Sequence, residues 1–284
     1  MAVRLIVFDF DGTLTDIADE GAQFEAAYEA AVAGLLGRDR VAPFRDALVR
    51  VRAGAPELGW DMGGGITAPG DADPYISASL ALGELCRAEK LPLLGGDDAK
   101  AAALRGEVSG QLYQLAYGAL RPAFRPDAAA VLTAALVRFE HVRIVTNSST
   151  DKVAKKLREL ALPRPLGVAG NARKFEVCEP TARGLGIGGV GPVWQVGGLH
   201  RPVLPRRGRY FDVLAEVWAD TGTTPAQTLV VGDIVELDLV LPGLLGAHVH
   251  YVERAHTHAY EAEILRTFGN RATRGGLAGA LGGA

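Results

Sequence analysis

Cysteine is scarce in this sequence of 284 residues, which contains only Cys86 and Cys178. Two cysteines cannot form the disulfide framework of a small secreted domain, and their scarcity fits a reducing compartment. Long apolar runs are also lacking, since no stretch reaches the ~18 uninterrupted apolar residues of a membrane span. The apolar start at residues 1–8 is too short for a signal peptide and leads directly into Asp9. We therefore expect a soluble, cytoplasmic protein with no membrane partner.

An excess of charge of one sign is lacking as well. The 30 Lys and Arg residues and 33 Asp and Glu residues give a net charge of -3, which leaves no basic footprint for nucleic acid. Hydrophobic residues make up 48% of the chain, enough for a sizeable core, so a disordered protein is excluded. Glycine is abundant instead, with 36 residues against a usual share of ~7%. The balance of charge leaves monomer and homodimer equally open.

Strand-like and helix-like segments alternate over residues 1–16 and 126–284. Apolar runs at 3–8, 142–145, 229–231 and 247–252 predict strands, with helical segments between them. Such alternation favours an α/β fold with a doubly wound, Rossmann-like parallel sheet.

Residues 17–125 have a different pattern, with apolar residues at helical spacing and a Gly/Pro/Asp-rich segment at 55–73. We expect a helical domain inserted into the α/β core, with Pro43 dividing its first helical stretch and 55–73 forming a loop. A second, Gly-rich insertion at about 168–205 predicts a β-hairpin-like excursion from the core. The Gly/Ala/Leu-rich end at 274–284 predicts a frayed tail.

Three predicted strands of the core end in polar side chains. The first leads into Asp9 and Asp11, the second into Thr146, and the third into Asp233 and, further on, Asp238. Because the carboxyl ends of parallel strands meet at one edge of a sheet, these residues are expected together. Carboxylates concentrated in this way are unfavourable unless a cation lies among them.

These segments resemble the motifs of the haloacid dehalogenase-like hydrolase superfamily. VRLIVFDFDGTLTD at 3–16 is similar to the first motif, IVTNS at 144–148 to the second, and VVGDIVELD at 230–238 to the fourth. The resemblance covers residues 1–16 and about 126–255. It implies that the helical insertion at 17–125 is the substrate cap that many members carry at this point.

The resemblance implies phosphoryl chemistry. Asp9 would be the nucleophile that forms an aspartyl-phosphate, and Asp11 the general acid and base. Thr146 would bind the phosphoryl oxygens, with help from the backbone N–H groups of Asn147 and Ser148 near a helix N-terminus.

The resemblance also implies a magnesium ion. Asp9, the backbone carbonyl of Asp11 and Asp233 would be its ligands, and Asp238 would support the site. Mg²⁺ suits such a site because it takes one or two carboxylates together with substrate phosphate and water. It would neutralise the mutual repulsion of Asp9 and the phosphate.

The third motif of the superfamily is a cation, usually lysine, and here the match is weaker. Arg207 lies about 26 residues before Asp233, near the expected interval, but no Lys-Pro pair accompanies it. Lys174 is the competitor, because it follows a strand-like segment in a chain with only six lysines. The two residues remain equal candidates.

Two further features are open to more than one interpretation. Trp60 and Asp61 lie in the loop of the helical insertion, where a specificity loop that contacts substrate is an alternative to a plain surface connection. His248, His250, His256 and His258 have HxH spacing, so a zinc site is conceivable. No cysteine accompanies these histidines, and a structural role is the better interpretation.

The sequence therefore predicts a Mg²⁺-dependent phosphatase acting on a small phosphorylated metabolite. Asp11 favours phosphoryl transfer over carbon–halogen cleavage, because a dehalogenase has no leaving alkoxide to protonate. A phosphomutase or another phosphotransferase is a narrower alternative. A non-catalytic binding protein of the same fold is another, although it would have no reason to keep Asp9, Asp11, Thr146 and Asp233.

Overall fold

A computed structural model describes residues 2–62, 64–121, 123–181 and 187–282. The chain divides into two compact units. The first comprises Met1–Asp16, Asp61–Ala68 and Phe124–Ala284, and the second comprises Ile17–Trp60 and Pro69–Ala123. The segment 61–68, which the sequence placed inside the helical insertion, thus groups with the first unit.

The first unit is built on a parallel sheet, of which six strands lie in the described residues. They are β1 (Leu5–Phe8), β4 (His141–Val145), β5 (Gly167–Ala169), β6 (Thr228–Gly232), β7 (His248–Val252) and β8 (Ala272–Gly275). Their order across the sheet is β5-β4-β1-β6-β7-β8, with every pair parallel. The first strand is therefore central, and the chain builds one side of the sheet before returning to the other. This confirms the predicted doubly wound, Rossmann-like α/β fold.

The apolar runs form these strands because both faces of the sheet are covered. In β1, Leu5 and Val7 pack into one core, whereas Ile6 and Phe8 pack into the core on the opposite face. Such two-sided burial explains why β1 is a continuous apolar run without alternation. The register pairs Phe8 with Ile144 of β4 and Val231 of β6, so the three strands end level with one another.

Helices cover both faces. They are α5 (Ala128–Arg138), α6 (Thr150–Leu157), α7 (Gly208–Thr221), α8 (Val240–Leu244) and α9 (Ala259–Thr267). Residues of α7, α8 and α9 pack with Leu5 and Val7, and residues of α5 and α6 pack with Ile6 and Phe8. A single turn of π-helix, Val235–Leu239, connects β6 to α8.

The second unit is helical and has its own apolar core. Its helices are α1 (Ile17–Leu36), α2 (Val41–Gly54), α3 (Pro74–Ala88) and α4 (Ala99–Gly118). Asp73 and Asp98 cap the last two helices, accepting hydrogen bonds from the backbone N–H groups of Ile76 at 2.6 Å and Ala101 at 2.9 Å. The break between α1 and α2 falls at residues 37–40. Pro43, which was expected to divide this stretch, lies in the first turn of α2, where proline is tolerated.

Three local predictions were wrong in part. The predicted loop at 55–73 contains two short paired strands, β2 (Gly59–Asp61) and β3 (Ile66–Pro69). The predicted hairpin at 168–205 is reduced, in its described residues, to the end of β5, one antiparallel bridge between Trp194 and Val203, and a parallel bridge from Cys178 to Arg207. The predicted frayed tail at 274–284 instead begins with the last two residues of β8 and continues in a 3₁₀ helix, Leu277–Leu281, whose Leu277 and Ala280 are buried.

None of the described helices is long and apolar enough to cross a membrane.

Helix α5 offers a direct test of the packing. Leu132 is fully buried in the core beneath it, whereas Val137 on the same helix is 86% exposed. We expect Leu132→Ala to lower the free energy of unfolding by about 2–5 kcal/mol through the cavity it leaves. Val137→Ala should change that free energy by less than about 0.5 kcal/mol. Urea denaturation of both variants measures the difference, and equal losses would contradict this packing.

Candidate active site

A buried ammonium group between two carboxylates is the centre of the site. The Nζ atom of Lys174 donates to Oδ1 of Asp9 at 2.6 Å and to Oδ1 of Asp238 at 2.8 Å. Asp9 follows β1 directly, and its own backbone N–H bonds to the carbonyl of Val231 at 2.8 Å. The ring of Tyr210 covers the ammonium at 5.3 Å from the ring centroid. The lysine is thereby fixed at the carboxyl end of the central strands.

Burial sets the protonation of this cluster. Loss of solvation raises the pKa of Asp9 to about 7, against the lowering effect of the Lys174 charge. For Lys174, burial disfavours the ammonium, but the carboxylates of Asp238 and Asp9 outweigh it and raise the pKa of the lysine above its ordinary value. Lys174 therefore stays charged at neutral pH.

Asp233 brings a further carboxylate to the same place. Its Oδ1 accepts a hydrogen bond from Oγ1 of Thr13 at 3.0 Å, whereas its buried Oδ2 has no hydrogen-bond partner. Burial, together with the charges of Asp238 and Asp9, raises the pKa of Asp233 well above its ordinary value. Oxygen atoms of Asp9, Asp233 and Asp238 lie within 4.8 Å of one another.

These residues fit a divalent cation. The buried Oδ2 of Asp233 lacks a partner, and the cluster holds three carboxylates but one ammonium, so two negative charges are in excess when all four groups are ionised. Hard carboxylate oxygens are the ligands that Mg²⁺ and Ca²⁺ prefer. The cluster can thus bind a metal ion, with Asp9 and Asp233 as its available carboxylates.

Asp238 is held more firmly than the other two carboxylates. Its Oδ1 is taken by Lys174, and its Oδ2 accepts a hydrogen bond from the backbone N–H of Ile234 at 3.0 Å. Its backbone carbonyl accepts from the hydroxyl of Tyr210 at 2.9 Å. Asp238 lies in the π-helical turn after β6, an irregularity that is frequent at functional sites. Both of its carboxylate oxygens are therefore engaged within the protein.

Two glycines are required by this close packing. Gly12 has a φ of +81°, and a Cβ atom there would come within 2.4 Å of Oδ2 of Asp233. A Cβ atom on Gly232 would come within 2.3 Å of the Asp238 side chain. The backbone can approach these carboxylates only because both residues lack a side chain.

Asp11 and the end of β4 form the next part of the site. The Oγ atom of Ser148 donates to Oδ2 of Asp11 at 2.6 Å, and the other carboxylate oxygen of Asp11 is buried without a hydrogen-bond partner. The hydroxyl of Thr146 is buried and accepts from the backbone N–H of Ser148 at 3.1 Å. Asn147 accepts from the backbone N–H of Lys174 at 2.8 Å. The side chains of Asn147 and Ser148 thus hold Lys174 and Asp11, and the predicted binding of phosphate by the backbone N–H groups of these two residues stays a prediction.

The structure separates the two candidates for the cation. Lys174 contacts Asp9, but Arg207 does not. The buried guanidinium of Arg207 donates to the carbonyls of Leu204 at 2.6 Å, Phe175 at 3.0 Å and Thr67 at 3.0 Å. The prediction that Arg207 is a catalytic cation was therefore wrong, because its guanidinium does not contact Asp9. Sequence interval alone favoured it, whereas the turn after β5 brings Lys174 to the site.

The remaining predicted residues lie elsewhere. Trp60 belongs to the second unit, and Asp61 is an exposed residue of the first, so their predicted contact with substrate stays a prediction. His250 is a buried residue whose ring nitrogens bond to Thr273 Oγ1 at 2.8 Å and the Gly276 carbonyl at 3.1 Å. These bonds support its structural interpretation.

Several residues of the site were missed from the sequence. Thr13, which lies within the first motif, bonds to Asp233. Tyr210, in α7, contacts both Lys174 and Asp238. Arg125 donates to the carbonyl of Gly12 through Nη2 at 2.7 Å and Nε at 3.1 Å. Only Thr13 carried a usable signal, its place within the Asp-Gly-Thr segment.

Comparison with known proteins agrees with this fold. A solved structure described as a predicted phosphoglycolate phosphatase from Haemophilus somnus 129PT aligns at TM-score 0.54 and 15% identity, covering 99% of this chain and 97% of that one. A haloacid dehalogenase-like hydrolase structure from Bacteroides fragilis aligns at 0.51 and 12%, covering 98% and 99%. A 2-haloacid dehalogenase from Pseudomonas syringae pv. tomato DC3000 aligns at 0.45 and 12%, covering 99% and 97%. The first two likenesses support the fold alone, because their identities are low, and the third, with its TM-score of 0.45, supports no conclusion.

No curated protein matches the sequence. The family model described as haloacid dehalogenase-like hydrolase matches residues 3–187, more than half of the chain. That range includes the strand ends that present Asp9, Asp11 and Thr146, together with the turn of Lys174. With the fold and the match in agreement, the chain belongs to the haloacid dehalogenase-like hydrolase family and is a hydrolase.

Proposed function

We propose that this hydrolase is a Mg²⁺-dependent phosphatase that acts on a small phosphorylated metabolite through an aspartyl-phosphate on Asp9. The observation that carries the proposal is the second aspartate, Asp11, held by Ser148 with one carboxylate oxygen unbonded. Phosphate ester hydrolysis needs a group that protonates the leaving oxygen and then activates water. Carbon–halogen cleavage releases a halide, which needs no proton.

Each residue of the site has a role in this reaction. The Asp9 carboxylate attacks phosphorus, and the bond from phosphorus to the ester oxygen breaks as Asp11 gives that oxygen a proton. Asp11 then takes a proton from the water that attacks the phosphorus of the acyl phosphate, which restores the free carboxylate of Asp9. Lys174 and the Thr146 hydroxyl balance the negative charge of the transferring group.

Asp9 and Asp233 would hold the Mg²⁺ ion, and Asp238 would keep Lys174 in place. A bound divalent ion supplies charge neutralisation, which lets an anionic carboxylate approach an anionic phosphate. The excess negative charge of the cluster and the partnerless Oδ2 of Asp233 support this assignment. We also assign the helical second unit the role of a cap, with Trp60 and Asp61 as candidates for contact with the substrate.

Replacement of the two aspartates tests the proposal. Asp9→Asn should lower kcat for p-nitrophenyl phosphate by at least about 1,000-fold through loss of the nucleophile. Asp11→Asn should lower it by roughly 10²- to 10⁴-fold through loss of acid–base catalysis. Asp220→Asn, at an exposed position on α7, is the matched control and should keep full activity. Assays with Mg²⁺ and with EDTA measure the metal dependence.

The same assay distinguishes the alternatives. Release of chloride from a 2-chloroacid by the wild-type protein, without phosphate release from a panel of phosphorylated metabolites, would replace the phosphatase with a dehalogenase. Activity that requires a sugar bisphosphate activator would favour a phosphomutase. Equal inactivity of the wild type and Asp9→Asn with all substrates would favour a binding protein.

Gly12 provides a test of the metal site without removing a ligand. Gly12→Ala places a methyl group against the Asp233 carboxylate, so Mg²⁺ binding measured by calorimetry should weaken at least about 10-fold. Gly222→Ala is the matched control, since Gly222 also has a positive φ, +60°, but no atom lies within 4 Å of its added Cβ. It should cost about 1 kcal/mol of stability and leave Mg²⁺ affinity unchanged. Wild-type Mg²⁺ binding in Gly12→Ala would show that Asp233 is not a ligand.

A further inference from the structure

Arg207 is an unusual buried charge outside the carboxylate cluster. Its side chain is 1% exposed, and within the described part of the chain it forms no ion pair. Burial lowers the pKa of its guanidinium to about 10, so the group still carries its charge at neutral pH. The charge of Glu236 raises that pKa in part, but a buried charge without a direct ion pair is costly, and its retention calls for a physical reason.

The three carbonyls bound by Arg207 come from segments distant in the sequence. Leu204 precedes α7, Phe175 follows Lys174 directly, and Thr67 lies in β3. The guanidinium offers donors in a rigid planar fork, which lets one side chain bind several carbonyls at once. Arg207 thus ties three segments of backbone together.

The turn that presents Lys174 needs such support. Asn171 and Arg173 have φ values of 55° and 46°, in the left-handed region that residues with side chains seldom adopt. Such conformations persist when the surrounding structure holds them. Asn147 accepts from the backbone N–H of Lys174, and Arg207 donates to the carbonyl of the next residue, Phe175. The lysine is thus held on its two sides.

We propose that Arg207 is a positioning residue, which fixes the turn of Lys174 to β3 and so keeps the lysine ammonium between Asp9 and Asp238. The hydrogen bonds alone support this positioning of Lys174 by Arg207. Only its expected effect on the kinetics rests on the proposed phosphatase function. Arg207 does not touch substrate, and it acts through Lys174.

Arg271 provides a matched control. Its guanidinium also donates to two backbone carbonyls, each at 2.9 Å, but Gly243 lies in α8 and Ala247 directly before β7, away from the site. Arg207→Gln and Arg271→Gln therefore both remove an arginine that ties backbone segments together. Only Arg207→Gln removes an arginine that supports the turn of Lys174.

Lysine-selective isotope labelling with NMR reports the position of Lys174 directly. The chain has six lysines, so the side-chain spectrum is simple, and Lys174→Met assigns the buried ammonium by loss of its signal. We expect the Lys174 signal to shift or broaden in Arg207→Gln and to stay in place in Arg271→Gln. An unchanged signal in Arg207→Gln, or equal changes in the two variants, would overturn the proposal. This readout does not depend on any activity.

Kinetics provides the second readout. In Arg207→Gln, kcat should fall about 10- to 100-fold while KM changes little, because a displaced catalytic group slows the chemical step. Arg207→Lys, which keeps the charge without the fork, should not restore kcat, whereas Arg271→Lys should behave as wild type. If both Arg207 variants fail to fold while the Arg271 variants fold, Arg207 has a structural role and the proposal fails. A wild-type protein without phosphatase activity but with the NMR response would refute the function alone.

Discussion

The structure of the site follows from the cost of burying like charges together. Oxygen atoms of Asp9, Asp233 and Asp238 lie within 4.8 Å of one another, and all three residues are buried. Lys174 balances part of this charge, and a divalent cation suits the rest. The neighbouring residues are arranged to make this close approach possible, from the glycine at residue 12 to the ring of Tyr210.

Each member of the cluster depends on a different part of the fold. The central position of β1 places Asp9 between the ends of β4 and β6. The π-helical turn after β6 directs Asp238 back toward Lys174. The turn after β5 brings in the lysine, held by Asn147 and by the carbonyl contact of Arg207 with Phe175. A site built from several strand ends is therefore sensitive to residues that never touch the substrate.

The sequence predicted the sheet and its polar strand ends well, because two-sided burial leaves an apolar run that is easy to read, as in residues 5–8. The prediction that Asp9, Asp11, Thr146 and Asp233 lie at one edge of the sheet was also correct. The sequence could not decide between Lys174 and Arg207, because the choice depends on the path of a turn with two left-handed residues. It missed β8, because the four residues ATRG form no apolar run and only pairing with β7 makes them a strand.

The central claim is that Asp9 becomes phosphorylated, and chemical trapping tests it most directly. The enzyme would be mixed with Mg²⁺ and a phosphate ester that it hydrolyses, and the reaction would be quenched during steady state. Treatment with borohydride would then reduce an acyl phosphate to an alcohol. Mass spectrometry of the peptide that contains residue 9 should then show homoserine in place of aspartate. This account would be contradicted if Asp9 stayed unmodified while the enzyme hydrolysed the ester, with the phosphoryl group absent or on another residue.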